Sequence, residues 1–223
     1  MNKKITWFLL GLLLLVVFAV FSKYVKNGGL KNADFAVTVK IQERIDTSSR
    51  LRLVDLVGNV MEGATFFASP AFTSIIVVVL TGWAAYDRKK KHWRPGALII
   101  PIAFSLIVMG ELYGKSVVHH PAPPFYMIKN PTTIFPKFYI NEEFSYPSGH
   151  AARAVFLALI AFITIRQYNN ITMRKRLVLL CGLGIYVGLV FVSRIYLGHH
   201  WLSDILGGGL LGSGLAFLSI FFL

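Results

Sequence analysis

Six apolar runs, each near the length of a bilayer crossing, set what this chain can fold into. They are Ile5–Ser22, Phe66–Tyr86, Pro95–Tyr113, Pro147–Ile165, Leu177–Val192 and Leu202–Leu223. A helix needs about 20 apolar residues to cross roughly 30 Å of hydrocarbon. With 55% hydrophobic residues, 15% charged residues and a mean hydropathy of +0.62, the surplus apolar surface needs lipid. Soluble globular, disordered, collagen-like and disulfide-scaffold classes are excluded on that ground. The expected fold is all-α: a polytopic six-transmembrane-helix bundle forming one integral membrane domain over residues 1–223. The lone Cys181 has no partner for an intrachain disulfide and belongs to no metal-type cysteine cluster.

The first run follows Lys3 and Lys4. Ala19-Val20-Phe21-Ser22 is not a small-x-small cleavage site, so a retained anchor is expected rather than a signal peptide. The stretch from Lys23 to Leu53 is polar. Within it Phe35, Val39 and the series Val37, Ile41, Ile45 suit a short amphipathic surface helix. Apolar character returns over Leu51–Met61, and Pro70 stands near the start of the second run. In the last run Gly208 and Gly212 make a small-xxx-small pair that permits close helix approach in lipid. Gly207–Gly209 is no phosphate loop, because it lies within an apolar run with no Lys-Ser/Thr after it.

The net charge of +13 invites a nucleic-acid reading, but position argues against it. Arg88–Lys91 with Arg94 form one basic cluster; Arg166, Arg174, Lys175 and Arg176 form another, and both lie between apolar runs. That is the pattern of cytoplasmic loops. Six crossings put both termini and both clusters on one side, the cytoplasm. The first outer connection, with seven Lys/Arg from Lys23 to Arg52, runs against the rule; the later loops follow it. The expected location is a cell membrane, multi-pass, with no nucleic-acid partner.

Three polar groups sit at the opposite ends of the runs. One is Lys115 followed by His119 and His120; the second is Tyr146-Pro147-Ser148-Gly149-His150; the third runs from Ser193-Arg194 to His200 and Asp204. Because crossings alternate in direction, all three face one side. Each residue alone has an ordinary explanation, such as a snorkelling lysine or a solvated histidine. Ionisable groups clustered near spans are a different matter. Arg194 offers a planar fork for phosphate oxygens, and Lys115 a second cation, with Glu111 the one acid close in sequence. Ser148 and Gly149 after Pro147 suit a helix N-terminus, where free N–H groups favour an anion. His150 can donate a proton to a leaving oxygen. His200 and Asp204 are four apart, so the carboxylate can fix the imidazole tautomer and leave the other nitrogen nucleophilic. The set supports histidine attack on a phosphoryl group, with no metal or cofactor required.

These residues resemble the type 2 phosphatidic acid phosphatase superfamily of membrane lipid phosphate phosphatases. Pro147-Ser148-Gly149-His150 matches its second motif. Ser193, Arg194, His200 and Asp204 match its third, which is Ser-Arg, five residues, His, three residues, Asp. The resemblance covers about residues 95–215 and implies a six-helix enzyme with its site at the outer face. It implies His200 as a phosphohistidine-forming nucleophile oriented by Asp204. His150 would serve as acid and then base, with Lys115, Arg194, Ser148 and Gly149 on the phosphoryl oxygens. The first motif, Lys, six residues, Arg-Pro, departs: Lys115 and Pro123 fit, but Ala122 replaces the arginine. His119, His120 or Arg153 are candidates to supply the missing donor. Arg153, three residues after His150, is favoured as substrate-binding; snorkelling, or pairing with Glu142 or Glu143, is its alternative.

The expected activity is metal-independent hydrolysis of a lipid phosphate or diphosphate, such as undecaprenyl diphosphate, phosphatidylglycerol phosphate, phosphatidic acid or a lipid A phosphate. The connection 121–146, with Phe125, Tyr126, Phe135, Phe138 and Tyr139, suits an interfacial position guiding a headgroup, or a merely ordered loop. Phosphotransfer to another acceptor through the same histidine, or lipid binding without turnover, are the alternatives.

Overall fold

A computed structural model describes residues 3–87, 92–129, 143–166 and 172–223. The basic cluster Arg88–Lys91 lies outside the described residues, as do Phe135, Phe138, Tyr139 and Glu142. The described residues form eight α-helices: α1 Lys3–Lys26, α2 Lys31–Asp46, α3 Leu51–Phe67, α4 Pro70–Ala85, α5 Ile99–Val118, α6 Gly149–Arg166, α7 Met173–Tyr196 and α8 Leu202–Ile220. A two-residue ribbon pairing Tyr86 with Trp93 follows α4.

Five helices are long and apolar enough to cross a membrane by themselves: α1, α5, α6, α7 and α8. The expected run Phe66–Tyr86 is mostly α4, which at 16 residues is long enough for a sixth crossing only together with α3, from which it bends by 52°. The break has a local cause. Ser69 caps α4 by accepting a hydrogen bond from the Phe72 N–H, and Pro70 occupies the first helical position. Proline also disfavours helical backbone in the residue before it, so α3 ends at Phe67.

The core lies between α4, α5, α6 and α8. Leu80, Ile100, Ile107, Phe156, Ile160 and Leu211 are buried together there. Large apolar side chains such as Leu13, Val20, Val78, Val79, Val178 and Ile185 face outward from α1, α4 and α7. In a membrane that outward face meets lipid rather than water. The glycines of α8 have the expected role. A methyl group at Gly208 would collide with the Ser148 carbonyl, and one at Gly212 with the backbone of Ala152, so α6 and α8 approach almost backbone to backbone. Trp7 of α1 stacks on Phe217 of α8 at 5.1 Å, and Lys4 Nζ donates to the Phe221 carbonyl at 3.3 Å.

The amphipathic stretch after α1 forms α2, and its Val37, Ile41 and Ile45 series turns inward as the spacing favours, with two polar residues on the same face. Phe35 is half exposed, whereas Asp34 and Thr38 are buried beside Ile41 and Ile45. Gln42 of α2 donates to the carbonyls of Met127 (2.8 Å) and Tyr196 (2.9 Å). The helix is tied to the protein by polar groups.

Candidate active site

The three polar groups converge at one end of the bundle. The last turns of α5 bring Glu111 and Lys115, and the first turns of α6 bring Gly149, His150 and Arg153. The last turn of α7 brings Ser193 and Arg194. His200 sits in the turn that follows, and Asp204 in the first turn of α8. The spans run further than expected at this end: α5 continues to Val118 and α7 to Tyr196, so Lys115 and Arg194 are helical residues.

His200 and Asp204 meet, but not on one helical face. His200 precedes α8, in a turn whose Gly198 has φ +70°, and the N–H groups of His199 and His200 donate to the Arg194 carbonyl. His200 Nδ1 lies 3.4 Å from Asp204 Oδ2, and that nitrogen makes no hydrogen bond. The contact is therefore electrostatic. Asp204 is fully buried. Its Oδ2 accepts the Trp201 N–H at 2.8 Å, half of a capping box, and its Oδ1 faces His120 Nδ1 at 2.9 Å. Burial holds the His200 imidazole below its ordinary value; Arg194 and Lys115 add to that effect, and Asp204 opposes it.

Ser148 binds the start of α6 to the start of α8. Its N–H donates to the Asp204 carbonyl at 2.9 Å, and its hydroxyl accepts the Ala151 N–H at 3.4 Å. The peptide bond between Tyr146 and Pro147 is cis. His150 lies within electrostatic range of Arg194, Arg153 and His200.

The cations surround Glu111. Lys115 Nζ donates to its Oε1 at 3.2 Å, and Arg153 Nη1 to its Oε2 at 2.8 Å. The carboxylate lies directly over Gly149: any side chain at 149 would collide with it. Arg194 is buried, and its Nε has no hydrogen-bond partner. A carboxylate thus rests among two cations and the N-terminus of α6, an environment built for an anion. Among the described residues no three His, Cys, Asp or Glu side chains are grouped to hold a metal.

Arg153 is 3% exposed, so it does not snorkel. It points inward to Glu111, and its Nε donates to the Ala68 carbonyl at 3.4 Å, one of the last acceptors of α3. The bend between α3 and α4 leaves that carbonyl free for it. Ala122 lies in a segment paired with residues 143–145, its N–H donating to the Glu143 carbonyl.

Three further groups border the site: Glu111, Asp34 and His120, the last of which the sequence offers only as a candidate for the missing donor. Glu111 was legible as the acid four residues before Lys115, one helical turn away. His120 reaches Asp204 because His119 takes a left-handed backbone at the end of α5, φ 53°, and turns the chain back. Asp34 comes from α2 and accepts the N–H and hydroxyl of Ser203 at 2.7 and 2.8 Å. No spacing in the sequence links Asp34 to residue 203.

Similarity to known proteins agrees with this fold. The chain is 24% identical to phosphatidylglycerophosphatase B of Bacillus subtilis over 206 residues, covering 92% of this chain and 90% of that one. It is 29% identical to an undecaprenyl-diphosphatase of Sulfolobus acidocaldarius over 212 residues, covering 93% and 88%. The crystal structure of a transmembrane PAP2 type phosphatidylglycerolphosphate phosphatase from Bacillus subtilis superposes with a TM-score of 0.71. That match is at 22% identity and covers 98% of this chain and 94% of the other. A family model described as the PAP2 superfamily matches residues 94–222, the span that carries every motif residue from Lys115 to Asp204, and the chain belongs to that superfamily.

Proposed function

We propose that this membrane protein hydrolyses a lipid phosphate or diphosphate at the outer face of a cell membrane, by way of a phosphohistidine. The observation that carries the reading is the approach of His200 and Asp204 beside the buried cations Lys115, Arg153 and Arg194. The names of the two sequence relatives, a phosphatidylglycerophosphatase and an undecaprenyl-diphosphatase, support lipid phosphates as the substrate class.

In the free protein Glu111 satisfies Lys115 and Arg153. An entering phosphoryl group competes for them with its own oxygens, and takes Arg194 Nε and the Gly149 and Ser148 region as further donors. His200 attacks phosphorus through Nε2. The P–N bond forms as the bond to the lipid oxygen breaks, and His150 gives that oxygen its proton. The Asp204 carboxylate offsets the positive charge that develops on the His200 ring. In the second half His150 takes a proton from water, water oxygen bonds to phosphorus, the P–N bond breaks and phosphate leaves. The bases at Lys4, Arg166 and Arg174–Arg176 lie at the opposite helix ends, which supports an exterior site by the positive-inside rule.

The test is phosphate release in detergent across a panel of lipid phosphates and diphosphates, with His200→Ala as control. Release from at least one lipid, absent in the variant and persisting in chelator, is expected. Wild-type rates in His200→Ala defeat the mechanism.

A further inference from the structure

We propose that His120 is a positioning residue for catalysis, a charged clamp that fixes Asp204 toward His200 with Asp34 of α2 as its second carboxylate. The proposal rests on the reading of His200 as nucleophile. It brings into the site a helix that lies outside residues 94–222, the part matching the superfamily.

The argument starts from the ring. His120 Nδ1 is 2.9 Å from Asp204 Oδ1, and its Nε2 is 3.7 Å from Asp34 Oδ2. A neutral imidazole has one N–H, which serves the hydrogen bond to Asp204; the second carboxylate, beyond hydrogen-bond distance at Nε2, favours a proton there by its charge. Asp34 and Asp204 are themselves buried, at 2% and 0% exposure, so each needs a compensating charge. The surroundings hold the ring in place. Ser145 N–H donates to the His120 carbonyl at 3.0 Å, and the Tyr146 ring stands edge-on at 6.5 Å.

Among the described residues the groups facing His120 are few. Asp34 comes from α2 and Asp204 from α8. Tyr146 comes from the segment before α6, its hydroxyl engaged with Ser22 of α1 at 2.8 Å. His119, next in the chain, packs its ring on Phe144. Burial disfavours the charge on His120, but the hydrogen bond to Asp204 and the two carboxylate charges outweigh it and hold the imidazole above its ordinary value. The clamp is therefore present at low pH and lost as pH rises through that raised value.

The function of the clamp follows from Asp204. One of its oxygens must face His200 Nδ1, which has no hydrogen bond to hold it there. The Trp201 N–H anchors that oxygen at 2.8 Å, and a charged partner on the other oxygen fixes the rotation of the carboxylate from its second side. His120 does not touch phosphorus, so its loss should appear in kcat rather than KM.

The experiment measures kcat and KM against pH on the full chain in detergent, with a lipid phosphate that it turns over. The variants are His120→Ala, His120→Asn and Asp34→Asn, with His200→Ala as control. In parallel, nitrogen NMR of 15N-histidine-labelled wild type and Asp34→Asn follows the titration of His120. We expect His120→Ala to lower kcat about 10- to 100-fold with KM little changed. His120→Asn places an amide donor near the position of Nδ1, so it should recover part of kcat and lose the high-pH decline. Asp34→Asn removes one carboxylate charge and should move both that decline and the His120 titration to lower pH. Wild-type kcat in His120→Ala overturns the proposal. If that variant does not fold, the NMR decides: titration at or below the ordinary value of about 6.5, indifferent to Asp34→Asn, overturns it as well. Turnover persisting in His200→Ala instead defeats the nucleophile reading and leaves the NMR result standing.

Discussion

Buried Arg153 on α6 and part-buried Glu111 on α5 form an ion pair at 2.8 Å, and Glu111 shares its other oxygen with Lys115. The arginine missing at position 122 is thus accompanied by one that enters from a different helix. Breaking a buried pair by removing one partner typically costs about 3–5 kcal/mol, because the other charge stays buried. Arg153→Ala should therefore lower thermal stability, and Arg153→Ala with Glu111→Gln should restore much of it. If Arg153 also binds phosphate, kcat/KM should fall about 10- to 150-fold, the worth of a charged hydrogen bond. Adding Ala122→Arg to Arg153→Ala should then recover part of kcat/KM without recovering stability. Thermal melts and initial rates separate the two effects. Unchanged kcat/KM in Arg153→Ala would remove the residue from the binding set.

The pH dependence of turnover has a defined sign at its acid side. The nucleophile must be neutral, and burial holds the His200 imidazole below its ordinary value. Lowering the pH through that depressed value protonates His200 and stops attack; above it the histidine is free to react. The acid limb of kcat/KM should lie below about 6.5, the value for a free imidazole. Asp204→Asn removes the carboxylate that favours the charged ring, so it should move the limb to still lower pH while reducing kcat. A limb at or above the ordinary histidine value would mean that another group controls it.

Much of this site was legible because its residues come from short motifs at the ends of long apolar runs. Hydropathy placed the runs, and alternation of crossings brought Lys115, His150 and His200 to one end. What escaped the sequence depended on tertiary contacts. The run expected from Phe66 starts instead at Pro70, because the Ser69 cap and the proline open a new helix there. Asp34 is a charged residue on the inward face of a surface helix, and it is buried because Ser203 and His120 offer partners that no local pattern announces. His120 needed the left-handed turn at His119, a conformation that histidine adopts more readily than most residues but that spacing does not foretell.

Orientation can be tested with single cysteines in a Cys181→Ser background. Tyr126 is exposed at the site end, and Met173 is exposed at the start of α7, the opposite end. An impermeant thiol reagent applied to intact cells should label Tyr126→Cys and spare Met173→Cys, with both labelled after lysis. The reverse pattern would put the site on the cytoplasmic side.

The close approach of α6 and α8 joins stability to catalysis, and two glycines separate the causes. A methyl group at Gly212 meets the carbonyl and Cα of Ala152, backbone atoms that cannot rotate away. Gly212→Ala must therefore push α8 from α6. Gly82, in α4, has nothing within 4 Å of an added methyl, so Gly82→Ala meets no obstacle. There alanine should be neutral or stabilise by up to about 1 kcal/mol, the helix-propensity difference between the two residues. Gly212→Ala should instead lower the melting temperature, since overpacking typically costs about 1–3 kcal/mol. It should also lower kcat. The helices it separates carry His150 and Asp204, linked by the Ser148 N–H to Asp204 carbonyl bond at 2.9 Å, and a shift of about 1 Å in such a set can cost about 10²-fold. Melting in detergent and single-substrate rates check both variants. A Gly212→Ala protein as stable and as active as wild type would show that the two helices are not held at this distance.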